Sequence, residues 1–318
     1  MDQIRSIFIG TILFIPSLLS AQTAAGLSPL AELSLIQHKP IEIPFKNDHP
    51  LNTEGGHLQG IQQCLHGEKK YFILSGSNST DSYLAFVDSD DRKVVGIATL
   101  FDAPLKHAGG FQAYENYLAV GVEDNEARDQ SLVCFYDVSN LPNFSNVPVF
   151  VLRRSGTYER STAGCVGLVR MGVHWLAVVG DWNTRNLDFY MSESDDLSEG
   201  LSLKAQVPMS EQSRSEWIDT LWLPYQNINL IYRDSKVYLL GYAGKDGGNI
   251  ADLFHLDVSD FSNIKVKKLE TFALENTGGD FTWGTGVIQE NGNIKGVIAT
   301  PRNIEESSQL YLYPVSEK

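Results

Sequence analysis

Short apolar runs separated by turn residues recur along the whole chain. Lys70-Tyr71-Phe72-Ile73-Leu74, Asn116-Tyr117-Leu118-Ala119-Val120, His174-Trp175-Leu176-Ala177-Val178, Lys236-Val237-Tyr238-Leu239-Leu240 and Lys295-Gly296-Val297-Ile298-Ala299 each read as one buried strand. Tyr71, Tyr117, Trp175, Val237 and Gly296 are 46, 58, 62 and 59 residues apart. The runs are too short for helices and too regularly spaced for unrelated domains, so they mark an internal repeat. A second anchor precedes two of them: His57-Leu58-Gln59-Gly60-Ile61-Gln62 and His107-Ala108-Gly109-Gly110-Phe111-Gln112 share His, Gly and Gln in register. Thr162-Ala163-Gly164-Cys165-Val166-Gly167 is a fainter third copy.

The second unit shows what a repeat contains. Strands are predicted over 110–115, 117–123, 131–137 and 147–152, with the polar stretch 124–130 as a connecting loop. Third strands elsewhere read Tyr83-Leu84-Ala85-Phe86-Val87, Leu187-Asp188-Phe189-Tyr190, Leu253-Phe254-His255-Leu256 and Leu310-Tyr311-Leu312-Tyr313. Asp88, Asp137 and Asp257 follow three third strands, where a short carboxylate accepts from the turn backbone. Fourth strands fall at 93–100, 147–152, 201–207 and 265–272. The fifth unit lacks one, but Lys39-Pro40-Ile41-Glu42-Ile43-Pro44-Phe45 alternates before the first unit and can supply it. Such pairing closes a ring and removes exposed strand edges. Four short strands per unit in five units resembles the β-propeller repeat proteins in general, over residues 39–318. That resemblance implies an all-β, five-bladed propeller of four-stranded antiparallel blades. Six blades would need a weak blade hidden in 193–224. No WD dipeptide or kelch glycine pair is present, so no family's catalytic residues carry over.

Composition fits one large β domain. The 318 residues are 42% hydrophobic, with 27 Gly and 12 Pro. A net charge of -14 argues against nucleic acid and anionic membranes as partners. Residues 1–21 read as a secretory signal peptide: Arg5, a broken apolar run over 7–19, then small residues at Ser20-Ala21. Residues 22–38 are then an N-terminal extension, and the mature protein is expected to be secreted or periplasmic and monomeric. Cys64, Cys134 and Cys165 lie on strands of different units, too far apart to bridge, and are expected to be buried thiols.

Propeller geometry says where chemistry sits. Loops leading into first strands and loops joining second to third strands crowd one mouth of the central channel, a usual place for a ligand. They carry His57, His107, Glu123, Asp181, Trp182, Asn183, Arg185, Trp222, Trp283 and Arg302, with Gln62 and Gln112 on the first strands. Recognition of a small polar molecule, a glycan or a protein loop without catalysis is the principal expectation. Indole faces would stack on sugar faces, and amides would take the hydroxyls. A metal could sit between His57 and His107, equivalent positions of adjacent blades, with Glu123 or Asp181. The two histidines leave the ligand set short, and no cofactor is expected. The alternative function is a glycan-active hydrolase or lyase using Glu123, Asp181, His57 and His107, since such chemistry needs paired carboxylates.

Overall fold

The computed structural model describes residues 27–316 apart from residue 157; the expected signal peptide lies outside the described residues. After helix α1 (Pro29–Leu33) and strand β1 (Ile41–Lys46), the chain lays down four-stranded units. The first holds β2 (Leu58–His66), β3 (Lys69–Ser77), β4 (Asp81–Asp88) and β5 (Lys93–Asp102). The second holds β6 (His107–Tyr114), β7 (Tyr117–Glu123), β8 (Gln130–Asp137) and β9 (Phe150–Ser155), and the third β10 (Cys165–Met171), β11 (His174–Gly180), β12 (Asn186–Met191) and β13 (Ser202–Pro208). The fourth comprises β14 (Asn227–Arg233), β15 (Lys236–Lys245), β16 (Gly248–Asp257) and β17 (Lys265–Leu274). β18 (Thr285–Glu290), β19 (Asn293–Ala299) and β20 (Ser307–Pro314) complete the series.

Neighbouring strands within each unit pair antiparallel, and the first strands touch in a ring, β2 to β6 to β10 to β14 to β18 and back to β2. The molecule is a β-propeller. Its last blade is completed by β1, which pairs antiparallel with β20 from Ile41↔Leu312 to Lys46↔Ser307. No described residues in 193–224 build a further blade; that stretch gives β13 and an irregular connection.

Burial explains the strand chemistry. Second strands are sandwiched between neighbouring blades, so both their faces are apolar: Leu176, Ala177, Val178 and Val179 are all fully buried. Outer strands have one wet face and alternate, as in β17. Blades approach so closely at the channel that side chains are rationed. A Cβ on Gly60 would come 2.6 Å from the Phe111 ring, and one on Gly109 would come 2.2 Å from the Gly164 carbonyl oxygen. The turn aspartates accept as their positions suggest: Asp88 from the Asp90 and Asp91 amides, Asp137 from Ser139, Asp257 from Ser259. All three cysteines are buried and unbridged. Among the described residues no helix is long and apolar enough to cross a membrane.

The segment before β1 is built into the ring. Ser28 caps α1, its hydroxyl accepting from Ala31 N–H at 3.2 Å, and Leu33 and Ile36 are buried against blades four and five. Glu32 pairs with Arg233 at 2.7 Å and accepts from the Ile294 amide at 2.9 Å, both groups being nearly dry. Ile36 bridges to Val315, and the Ser316 amide donates to Leu35.

Candidate functional site

One mouth of the channel holds a small cavity of about 170 Å³, lined among others by His57, Gln59, His107, Glu123, Asn125, Trp182, Asn183, Gln226 and Trp283. The repeat explains how they meet. His57 stands just before β2, and His107 begins β6, so their rings lie edge to face with centroids 5.9 Å apart. Gln59 reaches between them. Its Nε2 lies 2.9 Å from His57 Nδ1 and 3.0 Å from His107 Nε2. The equivalent position in the second unit is Gly109, which has no room for a side chain.

Glu123 ends β7, directly opposite His107 in the β6–β7 register. It is 0% exposed, and its Oε2 accepts from the Ala163 amide at 2.8 Å. Its Oε1 lies 3.3 Å from His107 Nδ1, outside hydrogen-bond geometry, so both atoms are buried without a hydrogen-bond partner. Asn125 Oδ1 is likewise buried and unpartnered. Gln59 Nε2 at 3.0 Å and Glu123 Oε1 at 3.3 Å thus flank the two ring nitrogens of His107. Burial, reinforced by the charges of His107 and Arg302, pushes His57 down to about 4, against the pull of a contact to the Leu58 carbonyl, so this ring is uncharged near neutral pH.

Two indoles wall the cavity. Trp283, in the loop before β18, lies 4.7 Å from the His57 ring, and the Arg302 guanidinium lies 5.0 Å from its centroid. Trp182, in the β11–β12 loop, lies 6.3 Å from His107, with the Arg128 guanidinium 4.0 Å from its centroid. The backbone beneath Trp182 is unusual. Asn183 and Thr184 have φ of 59° and 51°, a left-handed pair that a β-branched residue rarely adopts. Thr184 is held there from three sides: its hydroxyl donates to the Asn183 carbonyl and accepts from the Tyr225 amide, and its carbonyl accepts from Trp222 Nε1. Tyr225, also against the cavity, donates to Asp252 at 2.5 Å, and Asp252 pairs with the buried Lys268 at 3.0 Å.

The other expected site residues fall elsewhere. Asp181 is buried but turned into its own loop, accepting from the Asn186 amide at 2.9 Å and its side chain at 2.7 Å, with Arg185 at 3.4 Å. Burial raises its carboxyl above the usual range. Arg185 donates its Nε–H to the Trp182 carbonyl. Trp222 packs against Trp217, Tyr225 and Phe254 and does not line the cavity. Gln62 and Gln112 lie deeper in the channel. Gln112 accepts from the Leu168 and Leu230 amides and donates to the Leu230 carbonyl, joining three blades. Gln62 donates to the Ile61 carbonyl and to Asn229. Among the described residues no three His, Cys, Asp or Glu side chains are grouped to hold a metal ion. The sequence reading left out Gln59, Asn125 and Gln226; Asn125 and Asn183 share a signal, both being amides in second-to-third loops shortly after a carboxylate, Asp124 and Asp181.

No family model matches the chain, and no curated protein matches it. Among solved structures it is similar to a bifunctional GH43-CE protein of Bacteroides eggerthii, with 13% identity and a TM-score of 0.49, over 87% of this chain and 35% of that one. It is similar to the catalytic domain of the Coprinopsis cinerea GH62 α-L-arabinofuranosidase (11% identity, TM-score 0.48, covering 87% and 97%). The Neurospora crassa Pan2 WD40 domain is similar too (8%, 0.43, covering 89% and 98%). Likenesses of this degree say nothing about activity.

Proposed function

We propose that the mouth binds one small polar ring, a single sugar unit or the terminal unit of a glycan, without reacting with it. The observation that carries this reading is the pairing of two indoles, Trp182 and Trp283, with amide side chains around one small cavity. An indole stacks on the apolar face of a sugar, while Gln59, Asn183 and Gln226 meet its hydroxyls. Size supports a single unit. A volume of about 170 Å³ lies well below the ~300 Å³ where drug-sized sites begin. The hydrolase reading wants a second carboxylate across the cavity from Glu123. Asp181 is its candidate, and that carboxylate is occupied by Asn186 and Arg185. The leader expected at 1–21 would carry this site out of the cytoplasm, where free sugars and glycan ends are met.

The test is thermal melting of the purified protein against a panel of monosaccharides. A native-state ligand at ~100 times its Kd adds about 2.7 kcal/mol, a visible rise in melting temperature. One sugar class should raise it, and the rise should vanish in the Trp182→Ala/Trp283→Ala double variant. No rise with any sugar, or a rise indifferent to both indoles, rejects the reading.

A further inference from the structure

We infer that the channel has a second ligand site at its opposite end, suited to two linked, uncharged sugar units. The first strands run from the mouth of His57 and His107 to the turns that lead into the second strands, and a cavity of about 400 Å³ opens at those turns. Its volume is more than twice the 170 Å³ of the mouth and lies within the ~300–1,000 Å³ of ordinary ligand sites. Gln62 and Gln63 of β2, Tyr114 of β6, Tyr232 of β14 and Gln289 of β18 line it together. They converge because each stands toward the end of a first strand, and the first strands ring the channel.

The polar groups here are uncommitted and reachable. Gln62 is 3% exposed, and its Nε2 donates to the Ile61 carbonyl at 2.8 Å and to Asn229 at 3.4 Å. Its carbonyl oxygen has no hydrogen-bond partner yet keeps accessible surface, and the cavity is what it meets. The amides of Gln63 and Gln289 and the hydroxyls of Tyr114 and Tyr232 make no hydrogen bond within the fold either, and all four side chains are half-buried. A ligand that answers this set must both donate and accept. Sugar hydroxyls do both, and a tyrosine ring gives a flat apolar face to a sugar's C–H side. A phosphate, sulfate or carboxylate only accepts, and leaves the Gln62 oxygen unanswered. Charge agrees: Glu115, the one charged residue in the lining, is paired with Arg170 at 2.9 Å, so no spare charge is left to hold an ion. The size scale comes from the sugar-binding reading of the mouth, one ring there and two joined rings here; the polar set stands without it.

The test is titration calorimetry with cellobiose, maltose, lactose and xylobiose, each beside its monosaccharides, on the protein and on its Trp182→Ala/Trp283→Ala variant. One disaccharide should bind both proteins alike, and at least about tenfold more tightly than its single units, since the second ring brings its own contacts. Gln63→Ala/Gln289→Ala removes two side chains that bond to nothing in the fold, so the melting temperature should stay while disaccharide affinity falls about tenfold or more. Should the indole variant not fold, the glutamine variant alone must lose the disaccharide and keep the mouth's monosaccharide. Disaccharide binding that disappears with the two indoles belongs to the mouth; it overturns this inference and leaves the sugar-binding reading standing. Affinity indifferent to Gln63 and Gln289, equal affinity for one ring and two, or no disaccharide binding at all overturns it as well. The mouth is judged separately, by the indole-dependent melting shift with single sugars.

Discussion

Gln112 and Glu123 come from adjacent strands of one blade, are both almost completely buried, and are in opposite conditions. Gln112, on the channel floor, spends its carbonyl on two amides and its NH₂ on a carbonyl, tying blade two to blades three and four. Glu123, at the mouth, spends one oxygen on one amide and leaves the other unmatched. The two positions come from the same repeat, yet one side chain is fully paired and the other half paired. A burial value alone does not separate the two; the hydrogen bonds each side chain makes do.

The harshest way to break this comparison is to remove the frame on which both regions hang. Deleting residues 41–46 strips β20 of its partner and opens the last blade, so floor and mouth should be lost together. Circular dichroism should show loss of the cooperative melt; a melt like that of the full protein would refute closure by β1. Next in size, Trp222→Ala removes an indole packed on Trp217, Tyr225 and Phe254 and should cost about 3 kcal/mol, whereas Trp283→Ala should cost clearly less and take ligand binding with it. Equal losses in denaturant titrations would erase the distinction between packing and mouth indoles. Gln112→Leu should cost about 2 kcal/mol, because it leaves two buried amides and a carbonyl unpaired across the channel. Urea unfolding reads this directly, and a neutral result would contradict the stitching role.

The last effect concerns acid and is spread over a pH window. His57 titrates at about 4 in the fold and near ~6.5 in the unfolded chain, so the unfolded state alone takes up its proton between those values. Its contribution is therefore fully present above about pH 6.5, declines as pH falls, and is gone below the folded value. The slope cannot exceed about 1.4 kcal/mol per pH unit for one proton. His57→Gln should remove that component, so the wild type's stability relative to this variant should fall steadily between about pH 6.5 and about pH 4 and be unchanged above that window. A constant difference would mean that burial does not hold this ring neutral.

Much of the frame was legible in the sequence because a propeller repeats its chemistry. Apolar second strands, aspartates after third strands and one surplus strand before the first unit all follow from burial and turn geometry that recur blade after blade. The mouth was legible only as a neighbourhood. His57, His107, Glu123, Trp182 and Trp283 come together there because their loops are topologically equivalent. What resisted reading was local orientation. Nothing in Asp181-Trp182-Asn183 announces that the carboxylate folds back onto Asn186 while the indole faces the cavity. Trp222 and Trp283 look alike on paper, and only the aromatic partners around Trp222 distinguish them. Gln59 stands in the motif that drew attention to the histidines, yet its place between their rings depends on a neighbouring blade.

The strand exchange that finishes the ring also sets a timetable. Ile41 pairs with Leu312, so β1 leaves the ribosome well before β20 and waits for this antiparallel partner. During that interval blades one to four can pair internally, but the first blade has no fifth neighbour and the channel lacks a wall. Contacts between such distant residues form slowly, because a long loop must close before they yield anything, and an unpaired strand invites wrong partners meanwhile. In the finished ring, helix α1 and the Glu32–Arg233 pair fasten this segment to blades four and five. Completion of this molecule is thus a single late event, and the mouth, which needs Trp283 from the loop before β18, comes into being only shortly before it.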